Sequence, residues 1–297
     1  MTLFVQQAIN GIAVGSLYAI FAMGFGLVFA TMNILSVAHG TFATWGAIVA
    51  LWAVTTLHLP LAPGIVVAVV AVGLLGVGMD QIGFQPLRRR GTDSFFGVLI
   101  SSLGFWIVLG NLALIATGAT FHAFPIGAFP RRYFHFVGLV VPNFHLITIA
   151  TGLVLMGSLF FLVHRTRVGA AMRAVGYDME SAALSGINSR RVIMGTSFLA
   201  AAVCGLAGVL SGISTNNVSF VLGEGLLIKG FAGVVVGGFG DVRGAWVGGI
   251  VIGLSEILTV QYLSSSYRDA VTFGLLILFL LYRPRGILGT SEMALKI

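Results

Sequence analysis

The sequence predicts an all-α, polytopic bundle of about eight or nine membrane-spanning helices. Three observations carry that expectation. Of the 297 residues, 58% are hydrophobic and only 8% charged, with a mean hydropathy of +1.03. Soluble domains carry about 25% charged residues, and no soluble fold of this size hides so much apolar surface. The apolar residues fall in runs near the ~20 that cross a hydrocarbon core as a helix, without the ten-residue alternation of a barrel strand. There are also 41 glycines, and glycine lets transmembrane helices approach closely.

In order, spans are expected near 4–30, 38–57, 61–83, 94–116, 137–163, 192–213, 244–263 and 269–282, with a shorter glycine-rich run at 225–240 as a half-helix or re-entrant piece. No aqueous domain intervenes, so residues 1–297 are expected to form a single transmembrane domain. No Lys or Arg precedes Arg88, which argues against a cleavable signal peptide. The loop with Arg88, Arg89 and Arg90, the segment Arg165–Arg191, and the tail with Arg283, Arg285 and Lys296 are assigned to the cytoplasm by the positive-inside rule, with Arg243 joining them if 225–240 spans. That orientation puts the N-terminus outside. Arg131 and Arg132 dissent. They lie in FHAFPIGAFPRRYFHF, read either as an outer cap over a pathway or as a plain interfacial loop.

Composition excludes several function classes. The net charge of +7 sits in short loops, so it reads as topology and not as a nucleic-acid surface. The lone cysteine, Cys204, has no disulfide or metal companion and reads as core filler. No G-x-x-x-x-G-K-[ST], H-E-x-x-H or G-x-S-x-G is present, and the six histidines make no metal-spaced pair. No catalytic residue, metal site or cofactor is expected.

Four stretches carry patterned polarity. The longest is RTRVGAAMRAVGYDMESAALSGINSRR, Arg165–Arg191, where five arginines, Asp178 and Glu180 share helix-compatible spacing with alanines. Arg173, Tyr177 and Glu180 are expected on one face, and Gly176 and Gly186 allow breaks, giving a short helix pair. Such an element suits docking into a groove of a soluble partner, although an ordinary basic loop is the plainer reading. In NILSVAHGTFATWGA, residues 33–47, Asn33, Ser36, His39, Thr41 and Thr44 interrupt an apolar half. A broken helix here would expose backbone to a polar solute, making Asn33, His39 and Gly40 candidate pathway residues. The alternative is a turn with a satisfied histidine. In FAGVVVGGFGDVRGAWVGGIVIGLSE, residues 231–256, overlapping GxxxG pairs predict close helix packing and a sharp turn at 240–244, with Asp241 and Arg243 flanking it as a candidate pair. Intramembrane carboxylates reduce to Asp80, Glu224 and Glu256, with Glu224 placed in an outer loop. That is thin provision for a proton- or sodium-coupled carrier.

These stretches are similar to the LivH-like permease subunits of the ABC importers for branched-chain amino acids, nearly end to end. The resemblance rests on NGIAVGSLYAIFAMGFGLVFATMNILSVAHGTF, FQPLRRRG with ISSLGFWIVLGNLALIATG, the Arg165–Arg191 segment, GFAGVVVGGFGDVRGAWVGGIVIGLSEIL and LLYRPRGILG. It implies an ABC-importer permease fold. It also implies an ATPase-coupling role for Arg165, Gly169, Arg173, Ala174, Asp178, Ala182, Gly186 and Ile187, with Thr166 and Ala171 matching the same pattern. The implied partners are a second homologous permease (LivM-like), two ATPase subunits (LivG/LivF-like), a periplasmic substrate-binding protein and membrane lipid, in the bacterial inner membrane. The turn GDVRG departs from relatives, which often end it in Pro-Gly, and the wider family includes systems for urea, amides and aromatic acids. A secondary carrier or facilitator acting without an ATPase is the alternative, separated by whether uptake dies on ATP depletion.

Overall fold

The structure is a computed structural model that describes residues 2–89, 95–125, 127, 129, 132–136 and 139–289. Helices follow the apolar runs: α1 (Thr2–Met32), α2 (His39–Thr55), α3 (Leu61–Met79) continuing through a π-turn at Asp80–Phe84 into α4 (Gln85–Arg89), then α5 (Phe95–Thr117). A hairpin of β1 (Tyr133–Phe136) and β2 (Leu139–Pro142) precedes α6 (Asn143–Arg165). The chain continues with α7 (Arg167–Tyr177), α8 (Met179–Leu184), α9 (Ser189–Thr215), α10 (Leu222–Gly237), α11 (Val242–Tyr262) and α12 (Arg268–Tyr282).

Among the described residues, seven helical stretches are long and apolar enough to cross a membrane: Leu3–Met32, Leu61–Arg88, Phe96–Thr117, Asn143–Arg165, Ser189–Thr215, Val242–Tyr262 and Ser265–Tyr282. Two runs expected near or across the membrane fall short of that length, α2 with 17 residues and α10 with 16. The expected all-α span count therefore holds to within these two. The run expected as a span from 137 becomes helical only at Asn143, because residues 139–142 pair antiparallel with 133–136 in the register Tyr133↔Pro142 to Phe136↔Leu139. Pro142 disfavours helix in the residue before it, and the first helical residue, Asn143, returns hydrogen bonds to the Arg132 backbone in both directions. Arg90, Arg131 and Lys296, used above for orientation, lie outside the described residues.

The chain divides into two compact units. The first comprises Met1–Gly26, Phe129–Leu159 and Ile228–Ile297. Its glycines make the close packing that the GxxxG pairs predicted. A Cβ on Gly253 would fall on the Gly15 backbone, one on Gly249 on Ala19, and one on Gly248 on the Gly233 carbonyl. The turn after α10 uses positive φ at Gly238 (112°) and Gly240 (85°), and the Asp241–Arg243 pair forms at 3.0 Å.

The second unit comprises Leu27–Ala128 and Phe160–Leu227. Its centre is α2, α3 and α9, which cross through small residues. A Cβ on Gly46 would strike Gly205, one on Gly208 the Ala43 carbonyl, and one on Gly76 Ala201. Cys204 is fully buried there, as expected of core filler. The outward faces of α3 and α5 carry exposed Val66, Leu74, Phe96, Ile100 and Ile115, the surface a hydrocarbon solvent accepts.

Candidate functional site

The arginine-rich segment forms the expected helix pair, but its break falls elsewhere. Thr166 caps α7, accepting from Gly169 N at 3.1 Å. The helix ends at Asp178, whose extended backbone (φ −155°, ψ 114°) starts α8 and whose carboxylate accepts from Glu180 N at 2.9 Å. Tyr177 and Glu180 therefore lie on different helices, and the expected continuous Arg173–Tyr177–Glu180 face is corrected. Aspartate is a stronger N-cap than glycine, so the chain stops at Asp178 and not at Gly176.

Gly176 instead lets α7 touch the end of α1, where a Cβ would fall on the Ala30 carbonyl. Gly169 is buried, and a Cβ there would meet the Leu162 and Val163 carbonyls. Arg173 donates to the Val163 carbonyl, closing the corner between α6 and α7. Ala182 is buried with Val175 and Ile193, and Ala174, Ile187 and Met32 pack against that cluster. Gly186 makes the turn into α9 at φ 80°. What remains outward is Arg165, Arg167 and Arg173 with exposed Val168, Tyr177 and Leu184, the last 86% exposed.

This pair connects to the break between α1 and α2. Asn33 adopts φ 52° and its Nδ2 donates to Gly176 O at 3.3 Å. The loop's Val37 N donates to Ser102 Oγ at 3.3 Å. His39 is 2% exposed, sits 3.2 Å from Ser36 O and packs edge-on against Phe42. Beyond it, the first turns of α2 and α10 meet. A Cβ on Gly223 would fall on the Gly40 carbonyl, and Thr44 Oγ1 accepts from Gly223 N at 3.0 Å while donating to Phe220 O at 3.4 Å.

That crossing forms one side of a cavity of about 180 Å³, with Gly40, Thr41 and Thr44 from α2, Trp106 and Ile107 from α5, and Phe220 and Glu224 at the entrance to α10. Of the three predicted pathway residues, only Gly40 lines it. Asn33 lies toward α7, and His39 is held behind the first turn of α2. Glu224, expected in a loop, belongs to the first turn of α10.

A match to the family described as branched-chain amino acid transport system / permease component covers residues 7–280. The chain belongs to this family. It is 31% identical to the high-affinity branched-chain amino acid transport system permease protein BraD of Pseudomonas aeruginosa, over 98% of this chain and 97% of that one. It is 33% identical to the corresponding LivH protein of Escherichia coli K12, over 98% and 97%. A solved structure, PsaBC from Streptococcus pneumoniae in complex with Fab, aligns with a TM-score of 0.48 at 15% identity over 97% of this chain and 94% of that one.

The permease also holds a charge cluster that sequence reasoning did not assemble. Glu256 on α11 is 0% exposed. Its Oε1 accepts from Tyr18 Oη at 3.2 Å, from Lys229 Nζ at 2.9 Å and from the Arg268 guanidinium. Asp269 stands 3.9 Å from Lys229, so two cations face two carboxylates. Neutrality within the group is what makes it tolerable among apolar helices. Four segments far apart in sequence contribute, so no local pattern announces it. The other buried carboxylate among the described residues, Asp80 in the π-turn, pairs with Arg88 at 2.6 Å.

Proposed function

We propose that this chain is the single-domain, multi-pass permease subunit of an ABC importer in the bacterial inner membrane, moving branched-chain or related amino acids. It works beside a second, LivM-like permease. Two ATPase subunits of LivG and LivF type dock on Arg165–Arg191, and a periplasmic binding protein delivers solute. Family membership supports the transport class, and both relatives named above carry branched-chain amino acid names. The observation that carries the mechanism is the contact chain from α7 through Gly176 and Asn33 to the α1–α2 break, which ends at the cavity wall at Gly40.

Both buried carboxylates among the described residues are neutralised by cations, so neither is a free ion-coupling ligand. This supports work entering from outside the chain. The arginines and Leu184 give a partner something to grip, while buried Gly169 and Ala182 and half-buried Ala174 and Ile187 weld the pair to the bundle, with the Asp178 cap and the Gly186 turn fixing its angle. Displacement of α7 is transmitted to Asn33, His39 carries it into the first turn of α2, and the cavity wall moves. A solute travels in one direction only if its affinity differs between the two states.

The test uses exposed residues, because Gly169 and Arg173 support the corner itself. Arg167→Glu combined with Leu184→Asp should reduce ATP-driven leucine uptake by at least about tenfold, the effect of about 1.4 kcal/mol at the docking surface. Membrane insertion and subunit yield should stay at the parental level. Unchanged uptake by the double variant contradicts docking there.

A further inference from the structure

The cavity between α2, α5 and the start of α10 has a composition that selects one ligand chemistry. Its α5 side is mainly apolar, from Trp106, Ile107 and Leu114 with the Asn111 amide among them, and Phe220 continues the apolar surface. Its α2 side carries the Thr41 and Thr44 hydroxyls. At about 180 Å³ it is smaller than the ~300–1,000 Å³ of pockets for drug-sized ligands, so it admits a small metabolite. One ionisable group lines it, Glu224, and among the described residues no basic side chain forms an ion pair with it. This separates Glu224 from Asp80 and Glu256, which are both neutralised by cations.

We infer that this cavity is the solute site and that Glu224 recognises the α-ammonium of an amino acid whose side chain is apolar. The inference rests on the transport reading above and narrows it. A carboxylate beside an aromatic and aliphatic wall suits a molecule with a cation at one end and hydrocarbon at the other. The solute's carboxylate then lies toward the first turns of α2 and α10, whose helix ends carry positive partial charge. Urea and simple amides lack the ammonium, and aromatic acids without an amino group leave Glu224 facing a second anion. The site discriminates against all of these, because each leaves the charged hydrogen bond to Glu224 unmade. A purely structural Glu224, serving only as an acidic residue in the first turn of α10, would stabilise the helix without distinguishing solutes.

The experiment exploits the single native cysteine. Cys204 is fully buried, so a new thiol is the only reactive one. Gly110 lines the cavity and a Cβ there meets nothing within 4 Å, so Gly110→Cys fits. In the assembled transporter without ATP, the rate of N-ethylmaleimide labelling is measured with leucine or with 4-methyl-2-oxopentanoate, the same carbon skeleton without the ammonium. Leucine should slow labelling and the keto acid should not. Adding Glu224→Gln should raise the leucine concentration needed for protection by at least about tenfold. Equal protection by both probes, protection indifferent to Glu224→Gln, or no protection by leucine each overturns the inference. Labelling needs no ATP hydrolysis, so ATP-driven leucine uptake alongside any of those outcomes would sink the site and spare the importer.

Discussion

Single residues show how much this fold depends on paired charge and on the absence of side chains. Glu256 pairs with two cations, with Asp269 as the second carboxylate, and Lys229 is only 12% exposed at its side chain. Truncating one partner of a buried pair costs about 3–5 kcal/mol, because the other charge stays buried and unmatched. Glu256→Ala should therefore lower the Tm of the purified permease markedly, with Glu256→Gln intermediate. Joint replacement, Lys229→Met with Glu256→Leu, should recover part of the loss if Arg268, half-exposed, turns to the surface. A Glu256→Ala protein as stable as the parent would show the cluster to be energetically idle. Glycines give a second comparison. Gly208→Leu drives a side chain into the Ala43 backbone, whereas Gly104→Leu meets nothing within 4 Å. Overpacking costs about 1–3 kcal/mol where side chains can yield, and backbone yields less. The first variant should fail to accumulate while the second accumulates normally, as read by immunoblot of membranes.

At the scale of elements, the linkage between α7 and the α1–α2 break is the feature most open to test. Asn33→Gly removes the hydrogen bond to Gly176 O, tolerates the φ of 52° there and changes little else, since Asn33 is exposed. A side-chain hydrogen bond nets about 0.5–1.5 kcal/mol, too little to unfold the bundle. On the proposed mechanism the variant should keep its ATPase turnover while leucine uptake falls several-fold, a split measured in proteoliposomes. Parallel loss of both, or of neither, would remove Asn33 from the transmission path.

The elements also divide by how legible they were. Spans were readable because hydrocarbon thickness imposes a length that local composition reports, and eight of the expected runs match helices within a few residues apart from the one entered through the β1–β2 hairpin. The hairpin was missed because YFHF and LVVP are as apolar as a helix start, and only Pro142 marks the change. The helix pair was foreseen from its alanines, but its break was assigned to glycine where the capping aspartate governs. At the break, Asn33, His39 and Gly40 were grouped by their nearness in sequence. The αL turn at Asn33 and the burial of His39 sent them to three different surroundings. The cavity and the charge cluster lay beyond reach for a common reason: the one joins α2, α5 and α10 and the other joins Tyr18 to Lys229, Glu256 and Arg268, and one sequence carries no record of such pairings.

For the molecule as a whole, the decisive properties are its orientation and its source of work. Positive-inside reasoning places Arg165–Arg191 in the cytoplasm. Because Cys204 is buried, a Ser189→Cys protein should resist a membrane-impermeant maleimide in intact cells and react once the membrane is opened. The most direct measurement addresses the grip itself. A photo-reactive residue at position 184, 86% exposed at the end of α8, should on illumination crosslink the permease to an ATPase subunit, with a yield that changes when ATP is bound. Crosslinking that recovers only lipid or the permease itself, in a transporter whose ATPase subunits are present and active, would contradict coupling through this helix pair.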